Sequence, residues 1–395
     1  MRSPGSTNGQ QGPPGKAANL IPLNDLRRPL DTLGAELETA VASVVRSGWY
    51  IFGPNVAAFE DEFAAYCGIQ HCITVANGTD ALEIALLALG CGPGHEVVTV
   101  ANAGMYAAAA IVAVGATPSL ADIDARTMNM APESLARAVS PRTKAIVITH
   151  LYGRLADLDD LVAIARRHGV AVIEDCAQAH GARRGGRLAG TWGDIGCFSF
   201  YPTKNLGALG DGGAIVTGDK ALATAVRELR QYGWTGKYAA NRRHGRNSRL
   251  DEIQAAVLRL KLPHLDGWNK RRRSIVQRYR GAADDSVVIP DTERDDHVAH
   301  LCVLRSRERE ALRAHLAADG IATDIHYPVP DHRQAALRGL LPPDIALPET
   351  EQVVDEILTL PCFPELTDEE IGRVCTSLTR FRDQAVPRAR ERSAR

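Results

Sequence analysis

The chain has 395 residues, a length that favours two packed lobes over one small domain. Apolar residues make up 45% and charged residues 24%, which is typical of a globular protein and excludes a largely disordered or membrane-spanning chain. The formal net charge of −1 lacks the basic excess that nucleic-acid-binding proteins usually show, so we expect no nucleic-acid partner.

The first 19 residues are rich in Gly, Pro, Ser, Asn and Gln and are predicted to be a disordered leader. From about residue 72 to 217, short apolar runs alternate with helical patterns such as Thr79–Gly90 and Asp157–His168. This alternation predicts an α/β lobe with a mostly parallel central sheet, whose ligands collect beyond the carboxyl ends of the strands. The predicted strands are Cys72–Ala76, Glu96–Ala101, Thr117–Ala121, Lys144–Thr149, Val170–Glu174, Gly196–Phe200 and Ala214–Thr217.

A second, smaller α+β lobe is predicted towards the C-terminus. We divide the chain into a large domain over residues 20–262 and a small C-terminal domain over residues 263–381, with a polar tail over 382–395. Within the small domain, residues 297–304 and 321–327 are predicted to be strands.

The eight cysteines are scattered, and none forms a CxxC pair. Buried free thiols in a reducing compartment are the simpler interpretation, and we expect no metal site. No apolar run reaches the length of a membrane span and none near the N-terminus resembles a signal peptide. The protein is therefore predicted to be cytoplasmic, without a membrane partner.

Three polar positions directly follow predicted strands. Asp175 ends one strand, with Gln178 three residues later, and Lys204 follows the strand that reaches Phe200. If the ligand is pyridoxal phosphate (PLP), such an acid can hold the pyridine nitrogen protonated, and a buried lysine can hold the cofactor as a Schiff base. Taken singly, Asp175 also fits a helix cap or an ion pair, and Lys204 an exposed loop lysine.

A phosphate position is predicted beside them. Gly78, Thr79 and Asp80 follow the first strand and open a helix, whose N-terminal N–H groups favour an anion, and Ser199 is a further candidate donor. An ordinary helix cap explains the same residues. A basic segment with Arg243 precedes Asn247 and is either a solvated loop or a clamp for anionic substrate groups; its other members are Lys237, Arg242, His244 and Arg246.

Several motifs together resemble the DegT/DnrJ/EryC1/StrS family of sugar aminotransferases. The resemblance covers about residues 21–378 and rests on Asn77-Gly-Thr-Asp-Ala-Leu82, His150-Leu-Tyr-Gly153, Ile173-Glu-Asp-Cys-Ala-Gln-Ala-His180, Phe198-Ser-Phe-Tyr-Pro-Thr-Lys-Asn205, Gly210-Asp-Gly-Gly213 and Asn247-Ser-Arg-Leu-Asp-Glu252. It implies the aspartate-aminotransferase fold (fold type I) with PLP as cofactor.

The resemblance also implies a role for each matching residue. Lys204 is the Schiff-base lysine, and its presence where hydroxyl-removing members carry His favours transamination. Asp175 partners the pyridine nitrogen and Gln178 lies beside the ring oxygen. The phosphate contacts are Gly78, Thr79, Asp80, Ser199 and, from the other subunit of a homodimer with its active site at the interface, Asn247.

Substrate contacts follow from the same resemblance. Arg249 meets the carboxylate of the amino donor, and the further candidate substrate residues are Tyr201, His326 and Arg243. The family usually places an aromatic ring over the cofactor in the segment matching 101–110. This chain has Gly104 at that position, so Met105 or Tyr106 is expected to take over, or the ring is covered differently; Tyr106 is our candidate.

The implied reaction moves an amino group from L-glutamate to a nucleotide-linked keto sugar, as in antibiotic amino-sugar biosynthesis. The segments Ser47–Pro54 and Asp324–Pro328 resemble members acting at C-3 of dTDP-3-keto-6-deoxyhexoses more than those acting at C-4. A C-4 keto-sugar or cyclitol aminotransferase is the alternative within the class. A non-catalytic PLP-binding regulator is the alternative outside it.

Overall fold

The computed structural model describes residues 20–393, and the side chains of residues 20–383. The predicted leader lies outside these residues. The strands are β1 (His71–Val75), β2 (Glu96–Val100), β3 (Thr117–Ala121), β4 (Thr143–Thr149), β5 (Ala171–Asp175), β6 (Arg183–Arg184), β7 (Arg187–Leu188), β8 (Ile195–Ser199), β9 (Gly213–Thr217), β10 (Trp234–Gly236), β11 (Ala239–Ala240), β12 (Cys302–Arg305) and β13 (Ile357–Leu360).

The helices surround the sheet and form most of the C-terminal part. They are α1 (Leu30–Ser47), α2 (Pro54–Cys67), α3 (Gly78–Ala88), α4 (Tyr106–Ala113), α5 (Pro132–Ala138), α6 (Leu158–His168), α7 (Lys220–Leu229), α8 (Glu252–Lys261), α9 (Leu265–Ala282), α10 (Arg309–Ala318), α11 (Pro348–Glu356) and α12 (Asp368–Ser393). None of the helices in the described part of the chain is both long and apolar enough to span a bilayer.

All seven predicted strands of the first lobe form, and they build one sheet. Its order is β1-β9-β8-β5-β4-β2-β3. The pairs from β8 through β5, β4 and β2 to β3 are parallel, whereas β9 runs antiparallel to both of its neighbours. The mostly parallel sheet is therefore confirmed, with β9 as its single reversed strand. The parallel strands end at a common edge, where Asp175 and Ser199 lie.

Alternate residues of each strand enter two different cores. Val147 and Ile173 pack against α3, α4 and α7, whereas Ile146 and Ile148 pack in a larger cluster with α2, α6 and α8. Such continuous apolar strands are expected for a sheet that is covered by helices on both faces. The sheet is packed between the two cores, so the edge at the carboxyl ends of its parallel strands is a suitable frame for reactive side chains.

The C-terminal part has its own cluster of buried apolar residues, drawn from α9, α10, α12 and the β12–β13 pair. Ile21, near the start of the described chain, packs in this cluster and bridges to Ile321. The proposed division at residues 262 and 263 stays a prediction. Helix α12 continues to Ser393, through the segment that we expected to be a polar tail.

Two strand predictions in this part need correction. Residues 321–327 form only isolated bridges, because Asp324 pairs with Thr359 and the chain then turns away at Pro328, which has no N–H to donate. Residues 297–304 contribute to a strand only from Cys302, because His297 instead bridges to Arg154 of the first lobe. The actual partner, β13, was not predicted.

Candidate active site

Lys204 lies in the turn after β8, where its N–H donates to the carbonyl of Tyr201 at 2.8 Å. Burial disfavours the ammonium form and lowers the lysine's pKa to about 8, although the nearby Asp175 carboxylate acts in the opposite direction. A lysine with this pKa is partly neutral near pH 7, and the neutral amine is the form that attacks a carbonyl carbon. The sequence-predicted Schiff-base residue is therefore chemically suited to that role.

Asp175 closes β5 and is only 6% exposed. Its Oδ1 accepts a hydrogen bond from the N–H of Ala177 at 3.1 Å, and its Oδ2 lies 3.5 Å from the hydroxyl of Thr149. Burial raises the pKa of this carboxyl, and the positive charge of Lys204 offsets the effect only in part. A carboxylate so poorly solvated would be stabilised by a protonated ring nitrogen beside it.

The strand end that carries Asp175 is held by its neighbour Glu174, whose role sequence analysis missed. The fully buried Glu174 carboxylate accepts hydrogen bonds from the N–H groups of Gly190, Trp192 and Gly193 at 2.9, 2.6 and 2.7 Å. His150 Nε2 lies 2.9 Å from the same carboxylate, and its Nδ1 accepts from the N–H of Ala156. Nε2 is therefore the protonated ring nitrogen and donates to Glu174.

This network also accounts for a cluster that resembles a metal site. Ligand-type atoms of His150, Glu174 and Cys176 lie within 4.8 Å of one another. Both carboxylate oxygens of Glu174 already accept two N–H donors each, and the Cys176 thiol lies 3.7 Å from the carbonyl of Glu174. The donors are thus used for internal hydrogen bonds. A charged residue inside an apolar strand was the signal that could have identified Glu174.

The turn after β1 brings the predicted phosphate residues together. Asn77 caps α3 by accepting from the N–H of Asp80 at 2.8 Å. A Cβ on Gly78 would come within 2.6 Å of Ser199 Cβ, so the helix start and the end of β8 approach as closely as backbone allows. The N–H groups of Gly78 and Thr79 belong to the first turn, which has no acceptor within the helix.

Asp80 is placed differently from the other predicted phosphate contacts. Its N–H already donates to Asn77, and its carboxylate lies 3.4 Å from the guanidinium of Arg246. It therefore orders the turn and the basic segment rather than offering a free donor. Its direct contact with a phosphate stays a prediction.

Gln178 is buried and has a fixed amide orientation. Its Oε1 accepts from the N–H of Tyr152 at 2.6 Å, so its Nε2 must be the end that donates to the hydroxyl of Tyr327 at 3.1 Å. Tyr106, our candidate for covering the cofactor, is half exposed and meets Tyr327 edge-on, with ring centroids 5.9 Å apart. Sequence analysis assigned no role to Tyr152 or Tyr327.

The predicted substrate residues are spread around this centre. His326 Nδ1 lies 2.9 Å from the hydroxyl of Thr359, and burial lowers the pKa of the imidazole, with a smaller effect of the charge on Lys204. Tyr201 is exposed, three residues before Lys204. Arg249 lies over the ring of Phe52, with 6.0 Å from guanidinium carbon to centroid.

The basic segment contacts α3 through Arg246, which pairs with Asp80 and Glu83. Arg243 and Asn247 are exposed. Between and beside them, Arg246 pairs with Asp80, and the hydroxyl of Ser248 accepts from the N–H of Ala76 at 3.0 Å. The single chain thus leaves the Asn247 side chain facing outward, and its donation to another subunit stays a prediction.

The arrangement as a whole fits PLP. A buried amine of lowered pKa, an under-solvated carboxylate and a glycine-serine contact at a helix N-terminus correspond to the aldehyde, the pyridine nitrogen and the phosphate of that molecule. Lys204, Asp175, Gln178, Gly78, Thr79 and Ser199 are the residues that would hold it.

Known proteins resemble the chain over nearly its whole length. It is 46% identical to the erythromycin biosynthesis sensory transduction protein EryC1 of Saccharopolyspora erythraea, covering 91% of this chain and 98% of the relative. It is 44% identical to a dTDP-3-amino-3,4,6-trideoxy-alpha-D-glucose transaminase of Streptomyces venezuelae, covering 92% and 97%. The crystal structure of S. venezuelae DesV with a ketimine intermediate superposes with a TM-score of 0.88, at 44% identity over 92% of this chain and 98% of that one.

These likenesses confirm the predicted fold type I and the family resemblance on which our residue assignments rest. The model of the DegT/DnrJ/EryC1/StrS aminotransferase family matches residues 31–379, which includes the sheet, the turn after β1, Asp175 and Lys204. The chain belongs to the DegT/DnrJ/EryC1/StrS aminotransferase family.

Proposed function

We propose that this PLP-dependent aminotransferase moves the amino group of L-glutamate to C-3 of a nucleotide-linked keto sugar, a dTDP-3-keto-6-deoxyhexose, in antibiotic amino-sugar biosynthesis. The observation that carries the proposal is the half-buried Lys204 beside Asp175, whose lowered pKa leaves it partly neutral. Support for the sugar comes from relatives named as dTDP-3-amino-sugar transaminases, at 44% and 45% identity.

Each residue has a defined task in this reaction. PLP supplies the electron sink that stabilises negative charge on the carbon bearing the amine. The Lys204 amine would attack the cofactor's carbonyl carbon with loss of water and, when released, would move a proton between the two carbons bonded to the transferred nitrogen. Asp175 holds the proton on the pyridine nitrogen, because a neutral ring would leave its buried carboxylate unpaired. Gln178 directs an N–H towards the ring oxygen.

The substrates and the assembly form part of the proposal. Arg249 binds the carboxylate of glutamate, with Tyr201, His326 and Arg243 around the sugar nucleotide. A homodimer would bring the exposed Asn247 to the partner's phosphate site, and large exposed apolar side chains such as Trp49, Tyr50 and Leu209 supply a surface for pairing. The free cysteines, seven of them buried, favour the reducing cytoplasm.

The deciding assay offers glutamate with matched 3-keto and 4-keto dTDP-sugars. Amination of the 3-keto sugar alone is expected, and turnover of the 4-keto sugar alone would contradict the C-3 assignment. Lys204→Ala should abolish turnover and the attachment of cofactor by borohydride, whereas the exposed Lys220→Ala serves as the matched control. Normal turnover by Lys204→Ala would refute the proposed catalytic role of Lys204.

The cyclitol alternative has a specific test. A free cyclitol has no diphosphate, so its enzyme would not need the basic segment. Arg242 and Arg246 are engaged with Glu228, Asp80 and Glu83, which makes Arg243→Ala the sharper variant. Salt-dependent loss of sugar-nucleotide affinity in Arg243→Ala, but not in the exposed Arg167→Ala, supports the nucleotide sugar.

A purely regulatory role is suggested by the name of the relative EryC1, a sensory transduction protein. Such a protein would bind PLP without converting it. Formation of pyridoxamine phosphate from PLP and glutamate by the purified protein excludes that role, and failure with every amino acid supports it.

A further inference from the structure

We infer that Tyr327, brought from the second lobe, fills the space beside Gly104 where the family carries an aromatic side chain, and that it positions Gln178 towards the cofactor's ring oxygen. The inference rests on the proposed function and adds a residue to it. Tyr327 touches Gln178, so it is a positioning residue rather than a catalytic one.

The first argument is steric. Gly104 has φ of +76°, in the left-handed region, and a Cβ built there would lie 2.9–3.0 Å from three atoms of the Tyr327 ring. The ring therefore occupies the space that a side chain at position 104 would need. The family carries an aromatic side chain at this position. Here the position is glycine and the Tyr327 ring packs against it, so the second change compensates for the first.

The second argument concerns hydrogen bonds. Because Gln178 Oε1 is occupied by the N–H of Tyr152, the Nε2 group has two hydrogens to donate. One goes to the hydroxyl of Tyr327 at 3.1 Å, and the other remains for the site. Tyr106 also meets the Tyr327 ring edge-on, with ring centroids 5.9 Å apart, so Tyr327 contacts both Gln178 and Tyr106.

The third argument is how Tyr327 is held in place. Its neighbour His326 accepts a hydrogen bond at its carbonyl from the hydroxyl of Tyr152. Four residues later, the N–H of Asp331 donates to the carbonyl of Ala101 at 2.7 Å, and Asp331 Oδ1 accepts from the N–H of Met105 at 2.9 Å. The segment 326–331 is thus fastened to Tyr152 before the ring and to the segment 101–105 after it, which keeps the ring over Gly104.

The test compares Tyr327→Phe and Tyr327→Ala with Tyr66→Phe, a tyrosine whose hydroxyl bonds to Asp266 away from the site. Two readouts are independent of turnover: the PLP dissociation constant of the apoenzyme, and the pH at which the visible absorbance of the bound cofactor changes. Far-UV circular dichroism checks the folding of each variant. Since Tyr327→Phe keeps the ring, it remains informative where the alanine variant is unstable.

Removing the hydroxyl should loosen Gln178 and weaken its bond to the negatively charged ring oxygen. Tyr327→Phe is therefore expected to raise the apparent pKa of the absorbance change by about half a unit, with little change in affinity. Tyr327→Ala also loses the ring contacts and should weaken PLP binding about tenfold. Gln178→Ala should reproduce the shift of Tyr327→Phe, and the double variant should add nothing further.

Unchanged affinity and an unchanged absorbance profile in both Tyr327 variants would overturn the inference. The same holds if the shifts of Gln178→Ala and Tyr327→Phe are simply additive. Failure of the proposed function has a different signature, because borohydride treatment of the wild-type protein would then leave no cofactor on Lys204.

Discussion

Replacing Glu174 by glutamine tests the support beneath Asp175 most directly. The two side chains have nearly the same shape, so the substitution changes hydrogen bonding rather than packing. The carboxylate accepts four N–H donors, two on each oxygen. A glutamine oxygen can accept two of them, but its NH₂ group then faces the other two, donor against donor.

Neither orientation of the amide avoids this conflict. With NH₂ towards Trp192 and Gly193, two backbone N–H groups lose their acceptor. With NH₂ towards Gly190 and His150, the imidazole could move its proton to Nδ1, but Nδ1–H would then face the N–H of Ala156. Each stranded buried donor costs about 1–3 kcal/mol, so the variant should lose about 2–6 kcal/mol of unfolding free energy.

Urea denaturation at one fixed protein concentration, followed by far-UV circular dichroism, measures this loss. Glu62→Gln is the matched control, because Glu62 is 41% exposed and pairs with Arg259, so its replacement should cost less than about 1 kcal/mol. We also expect weaker PLP binding by Glu174→Gln, since Asp175 is the next residue. A stability of Glu174→Gln within about 1 kcal/mol of wild type would refute the reasoning.

Three further predictions concern the same region. Burial raises the pKa of Asp331 from 3.8 to about 7, so its stabilising contribution is complete below pH 4 and is lost as the pH rises through 7. Asp331→Asn keeps the acceptor for the N–H of Met105 and should be more stable than wild type at pH 8, by about 4 kcal/mol at most, but not at pH 4. Urea titrations at both pH values measure this difference. Gly78→Ala places a Cβ 2.6 Å from Ser199 and should weaken PLP binding at least tenfold in a titration of the apoenzyme; equal affinity would show that the turn can open. Asn77→Ala removes the cap of α3 and should cost about 1 kcal/mol in the same urea assay, and an unchanged midpoint would argue against the cap.

Much of the centre could be predicted because its residues follow strands directly. An apolar run specifies a buried strand locally, and the carboxyl ends of parallel strands share one edge, so Asp175 and Ser199 were expected at the same edge of the sheet. The pairing of β5 with β8 in the structure makes them neighbours there. The family resemblance then assigned their roles. The roles themselves, like that of Lys204, remain to be tested by substitution.

Features that depend on contacts between distant segments could not be predicted from local pattern. Residues 321–327 carry a strand-like apolar pattern, but whether a strand forms depends on a free neighbouring edge, and β13 was unrecognised. The environment of Glu174 likewise depends on the turn at 190–193, which folds back onto β5 only in three dimensions.

Local sequence pattern was enough to predict the seven-stranded lobe, the order of polar residues after its strands and the family. What occupies the space at Gly104 depends on contacts between segments that are far apart in the chain. Met105 and Asp331 are 226 residues apart in the chain, and their hydrogen bond places Tyr327 against the glycine. The lowered pKa of Lys204 was likewise decided by the tertiary structure, since desolvation depends on everything packed around the amine.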